Sequence, residues 1–245
     1  MELWRRLRMR RSLNVVLTFT LALVFAATAN AAKYKEEAVS NGGDVQGTIT
    51  YNGVIKTRTA LPTKDKEVCG KPRKIPLVMV GDGGAVQDAV VYLKDVESGK
   101  AWPDMQRPVI NNIACIFEPH VQVARRGKVD ILNSDPVLHN THGYYGKATA
   151  FNVALPFKDA KVTKILKRFG PVRTDCDAHG WMLGWVVVVP NPYFMQTGGD
   201  GTYSITDVPP GDYTLVVWQE QIGETETPVT IKAGATTEIS IELGG

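Results

Sequence analysis

From residue 42 onward, apolar positions fall in short runs of three to eight residues, broken by Gly, Pro, Asn and Asp. No segment after the first thirty residues repeats with the helical period over a useful length. Such short runs with turn residues between them predict strands. The candidates are Val45–Tyr51, Leu77–Val80, Ala89–Leu93, Val121–Val123, Val129–Leu132, Val186–Val189, Tyr203–Ile205, Tyr213–Trp218, Val229–Ile231 and Glu238–Ile241. Residues 158–169 hold a possible short helix, although Val, Thr and Ile there also suit a strand. The charged stretch Asp65–Lys74 reads as a solvated loop. Many short strands with regular turn signals predict an all-β chain of sandwich or barrel type.

The first thirty-one residues follow a different pattern. Arg5, Arg6, Arg8, Arg10 and Arg11 precede an apolar stretch, Val15–Ala27, and then Ala29-Asn30-Ala31. A basic start, an apolar middle and a small-x-small site are the parts of a cleaved secretory signal. The apolar stretch is shorter than the ~20 residues that a membrane-spanning helix needs. The expected mature chain begins near Ala32, is exported to the periplasm and has no membrane span. Arg10-Arg11-Ser12-Leu13 only partly matches a twin-arginine signal, so the export route stays open.

Composition adds one exclusion. The formal net charge is +3, but residues 1–31 contain five Arg and one Glu, and without them the balance is −1. A basic surface for nucleic acid is therefore not expected.

The stretch richest in chemistry is Asp175-Cys176-Asp177-Ala178-His179-Gly180-Trp181-Met182, followed at once by the apolar run Val186–Val189. Upstream lies Asn133-Ser134-Asp135-Pro136-Val137-Leu138-His139-Asn140-Thr141-His142. One Cys, two His and one Met form the donor set of a blue copper site, with thiolate and imidazole in a trigonal plane and thioether on a long axial bond. The Cys-x2-His-x2-Met loop and Pro-x2-His-Asn-x-His resemble the cupredoxin family, and its amicyanin-like, plastocyanin-like branch in particular. Phe117-Glu118-Pro119, Val121-x-Val123 and Gly127-x-Val129 resemble the strands that lead to Asn133-x-Asp135 in that family. The resemblance implies a Greek-key sandwich with one type 1 copper held by His139, Cys176, His179 and Met182. It implies that Asn140 steadies the cysteine loop, and that electrons pass through a solvent-near His179 to a redox partner such as a cytochrome or a dehydrogenase. Asp177 stands where the family has Ser or Thr. His142 competes with His139 as a ligand, His120 reads as a structural or surface residue, and Trp181 as a partly exposed aromatic.

If Cys176 takes the metal, Cys69 and Cys115 remain, and an oxidising compartment favours their disulfide. Two separate free thiols are the alternative.

The flanks have a second character. Gly47-Thr48-Ile49-Thr50-Tyr51-Asn52-Gly53, Val86–Leu93, Asp200-Gly201-Thr202-Tyr203-Ser204-Ile205 and Val208-Pro209-Pro210-Gly211-Asp212-Tyr213 resemble the carboxypeptidase regulatory-like, transthyretin-like sandwich family. Gly211 is expected to supply a positive φ in that turn. The expected organisation is a signal peptide (1–31), a small Ig- or transthyretin-like sandwich split between 42–100 and 197–245, and a cupredoxin unit (101–196) inserted into it. The alternative is a tandem layout. The expected function is a periplasmic electron carrier and not an enzyme. The competing readings are a copper-handling protein and a non-redox sandwich binding module.

Overall fold

The computed structural model describes residues 34–244, so the expected signal peptide (1–31) lies outside the described residues. Strands dominate and helix is limited to short turns. The chain is all-β, as the run pattern predicts.

Two groups of sheets carry the fold. In the first, Phe194–Gln196, Val90–Leu93, Gly211–Gln219 and Gly223–Ile231 form an antiparallel sheet in that order. Facing it, Gly43–Tyr51 pairs with Thr202–Val208 on one side and with Thr236–Glu238 and Ile241–Leu243 on the other. Val45, Ile49, Val91, Leu93, Tyr203, Leu215 and Val217 meet in the core between these sheets.

In the second group, Lys161–Leu166, Gly127–Asn133, Val109–Ile113 and Ile116–Glu118 make one sheet. Ala148–Leu155, His139–Tyr145, Gly170–Cys176, Leu183–Val189 and Val121–Arg125 make the other. Ile110, Phe117, Ile131, Val153, Leu155, Val172, Val186 and Val188 fill the space between them. Lys161–Leu166 is therefore a strand, and no helix forms over 158–169.

The runs VVYL, LVVW and WVVVV lack polar alternation because both of their faces are buried. Val91 and Leu93 point into the first core, while Val90 and Tyr92 join Val216, Trp218, Val121, Val187 and Val189 in a third apolar cluster. The period of two along a strand produces this division. The third cluster joins the two sheet groups back to back.

Two local expectations change. Leu77–Val80 contributes only an isolated bridge, Val80 to Val86. Near Pro209-Pro210 the positive φ belongs to Asp207, at 56°, and not to Gly211.

Residues 57–76 leave the first group and lie against the second. Thr57–Ala60 and Arg73–Pro76 form a two-stranded ribbon, and Lys66–Cys69 makes one helical turn at its far end. The expected solvated loop is thus anchored: Cys69 is buried and bonded to Cys115.

Candidate metal centre

Asn133 ends its strand fully buried and shapes the loop that delivers His139. Its amide donates to the carbonyls of Val137 (2.8 Å) and Leu155 (3.1 Å), and its oxygen accepts from the Asp135 backbone N–H at 2.9 Å. Asp135 then has three donors. The N–H groups of Ala114 (2.7 Å) and Cys115 (2.9 Å) reach its two oxygens, and His139 Nε2 lies 2.8 Å from Oδ2. Ala114 and Cys115 both sit at positive φ, 49° and 54°, in the tight turn between Val109–Ile113 and Ile116–Glu118. That left-handed conformation is costly for residues with a Cβ. It aims two adjacent N–H groups at one carboxylate.

Cys176 ends the strand Gly170–Cys176, and two successive tight turns follow. His179 N–H donates to the Cys176 carbonyl (3.1 Å) and Met182 N–H to the His179 carbonyl (2.9 Å). These turns curl the segment so that the Cys176 and His179 side chains meet, with Sγ and Nδ1 3.7 Å apart. The neighbouring strand adds a cross-loop tie, because the Asn140 N–H reaches Cys176 Sγ at 3.4 Å and the Asp177 N–H donates to the Asn140 carbonyl at 3.2 Å.

The result is a triangle of donor atoms. His139 Nδ1 and His179 Nδ1 are 3.0 Å apart, and Cys176 Sγ is 3.8 and 3.7 Å from them. The point equidistant from three such atoms lies about 2 Å from each, the length of a metal–imidazole bond. Both imidazoles and the thiol are buried, with 0%, 0% and 1% exposure. Each ring presents Nδ1 inward and has Nε2 held from behind, His139 by Asp135 and His179 by Asp65 at 2.8 Å. A metal-binding imidazole whose outer nitrogen is held by a carboxylate is fixed in orientation and made more basic. The donor set therefore fits a three-coordinate soft or borderline metal. Met182 is buried, 2% exposed, in the same apolar cluster as Cys176.

Burial pushes the His139 imidazole below its ordinary pKa. The Asp135 hydrogen bond works against that shift, and the neighbouring His179 adds to it. Burial also pushes the Cys176 thiol up, opposed by the N–H groups of Asn140, His179 and Ala178. The metal-free chain therefore presents a neutral imidazole and a protonated thiol.

Other expected residues fall outside the triangle. His142 is turned to Asp177 (3.1 Å), Tyr144 (2.7 Å) and Thr149 (3.0 Å). His120 bonds the Leu183 carbonyl and Glu220. Trp181 packs on His179 with ring centroids 5.0 Å apart. Besides its backbone tie to Asn140, the Asp177 carboxylate bonds His142 and Asn152. The expected solvent-near edge of His179 does not occur, because residues 57–76 cover it. Cys69 and Cys115 form the disulfide, and its sulfurs and a His179 nitrogen all lie within 4.8 Å of one another.

Asp65, Arg58 and the acceptor role of Asp135 carried no mark in the sequence reading. Asp135 has a signal after all, a carboxylate four residues before a candidate ligand. Asp65 has none, since 114 residues separate it from His179.

Comparison with known proteins gives three results. Residues 191–239 match polysaccharide lyase family 4, domain II, and these residues lie in the first sheet group. No curated protein matches the chain. Among solved structures, amicyanin from Paracoccus versutus is 18% identical, with 35% of this chain and 85% of that chain covered and a TM-score of 0.30. A reduced Cu(I) amicyanin variant at pH 4 is 21% identical over 35% of this chain and 85% of its own, also at 0.30. An oxidized amicyanin variant is 22% identical over 36% and 89%, at the same score.

Proposed function

We propose that this chain is an exported type 1 copper protein that carries electrons in the periplasm and is not an enzyme. One observation carries the reading: two inward imidazole nitrogens and one thiol meet at bonding distance from a common point, with Met182 buried in the same cluster. One thiolate, two imidazoles and a thioether suit copper, which cycles between Cu(I) and Cu(II) in such a trigonal site with little rearrangement. The protein's part is to hold His139, Cys176 and His179 rigid and to keep water away from them. Capture and hand-over of copper would need donors that a partner could reach, and these three are buried. No helix among the described residues is long and apolar enough to cross a membrane. The partner proposed is a redox protein such as a cytochrome or a dehydrogenase.

The same reading makes 101–196 the metal unit and the flanks 42–100 and 197–245 its supporting sandwich. In support, Val90–Leu93 of the first flank pairs with Gly211–Gln219 of the second in one sheet, which Phe194–Gln196, at the end of 101–196, also joins.

The test is direct. Cu(II)-loaded protein should show intense thiolate-to-copper absorption in the visible, and Cys176→Ala should abolish it. A colourless Cu(II)-loaded wild type would sink the proposal.

A further inference from the structure

The ribbon over residues 57–76 is tied to the donor loops at three points. Arg58 Nη1 donates to the Trp181 carbonyl at 2.8 Å. Cys69 is bonded to Cys115, in the turn that supports Asp135. Asp65 Oδ2 lies 2.8 Å from His179 Nε2. The first two ties hold the ribbon in place. The third touches a proposed ligand.

The Asp65 side chain is free to make that contact. It sits just before the helical turn Lys66–Cys69, where an Asp side chain ordinarily accepts an N–H of the first turn. Here the side chain makes no such bond. The N–H groups of Val68 and Cys69 go instead to the Asp65 main-chain carbonyl, at 3.0 and 2.8 Å. The backbone of Asp65 is left-handed, with φ 50° and ψ 40°, a conformation that Asp adopts more readily than most residues. The carboxylate is thereby turned away from its own helix and onto the imidazole.

We infer that Asp65 is a positioning residue for the metal centre: it accepts the Nε2 proton of His179, fixes the ring with Nδ1 inward, and adds negative charge that favours Cu(II) over Cu(I). This rests on the copper reading above. His139 has an equivalent partner in Asp135, four residues away in the same loop. The partner of His179 comes from the separate ribbon segment, 114 residues away, so the second imidazole is correctly set only when the ribbon is docked.

The experiment uses the full chain and two variants. Asp65→Asn keeps the shape and an oxygen acceptor but removes the charge. Asp65→Ala removes the acceptor as well. Copper affinity in both oxidation states and the reduction potential are measured, together with trypsin cleavage after Lys64 and Lys66 as a reading of ribbon docking. For Asp65→Asn we expect wild-type resistance to trypsin, a blue protein, and a roughly tenfold fall in the Cu(II) to Cu(I) affinity ratio, which is a rise of about 59 mV in potential. For Asp65→Ala we expect Cu(II) affinity lower by about 10- to 100-fold. A blue wild type whose Asn and Ala variants keep both potential and affinity would overturn the role of Asp65 while leaving the copper reading intact. A wild type that never turns blue would overturn both.

Discussion

Single atoms decide what this chain does with protons. The Cys176 thiol is pushed up by burial and the His139 imidazole is pushed down, so near neutral pH the thiol holds its proton and the imidazole holds none. Because the metal binds thiolate, loading must expel the Cys176 proton. Apparent Cu(II) affinity should therefore rise about tenfold per pH unit between about pH 7 and 8, with roughly one proton released per copper in a weakly buffered titration. An affinity flat across that window would mean that the thiol is already ionised. The same shift acts on the metal-free fold. A raised thiol pKa leaves stability intact below the ordinary thiol value and erodes it as pH climbs past that value. At this scale the sequence was partly legible. Cys176 and His179 could be paired because both lie on one short loop, whose turns bring Sγ and Nδ1 to 3.7 Å. Asp65 could not, because its approach to His179 depends on a fold between residues 114 positions apart.

The ribbon over 57–76 is the element whose character the sequence concealed. Its charges suggest a solvated loop, and several of them are indeed exposed. What sets its position is a few contacts on its inner side, the buried Cys69 with its disulfide and the Arg58 hydrogen bond to Trp181. Charge patterning describes the outer face of a segment, and a few scattered anchors leave that pattern unchanged. The double variant Cys69→Ser, Cys115→Ser should lose roughly 2–5 kcal/mol in urea unfolding, the usual cost of deleting a native disulfide. It should also become cleavable by trypsin within the ribbon. Wild-type stability and resistance would show that Arg58 and Asp65 suffice to dock it. The strands were easier to read, for the opposite reason. In VVYL and WVVVV every side chain meets a core, so the pattern records burial on both faces directly. Lys161–Leu166 was ambiguous because it lies at a sheet edge, where only alternate residues are covered.

Across the whole molecule, the two sheet groups share the apolar seam of Val90, Tyr92, Val187, Val189, Val216 and Trp218, and one polar tie closes its margin. Glu220, just beyond Gly211–Gln219, accepts from Trp185 Nε1 at 2.6 Å and lies 3.0 Å from His120 Nε2. Burial works against charge on His120, but Glu220 and the Leu183 carbonyl outweigh it, and its pKa is raised. A raised imidazole pKa stabilises the fold fully below about pH 6.5 and loses that effect as pH rises through the folded value. The stability gap between wild type and His120→Asn should therefore be larger at pH 6 than at pH 8.5 when urea midpoints are compared. A gap that widens with pH would place the neutral ring, and not the ion pair, at the seam.

The strand Gly43–Tyr51 has a consequence for the order of events during synthesis. It leaves the ribosome early, yet its neighbours are Thr202–Val208, Thr236–Glu238 and Ile241–Leu243, and the Gln46 to Glu238 hydrogen bond spans 192 residues. The Cys69 to Cys115 link spans 46. Long closures carry a higher entropic cost and come late, whereas short ones are available as soon as both ends exist. In an oxidising compartment the shorter link can therefore close while the early strand still lacks partners from the far end of the chain. An unpaired edge of this kind is prone to pair with other chains. For this protein the hazardous interval of folding falls on the flanking sheets and not on the metal-binding region between them.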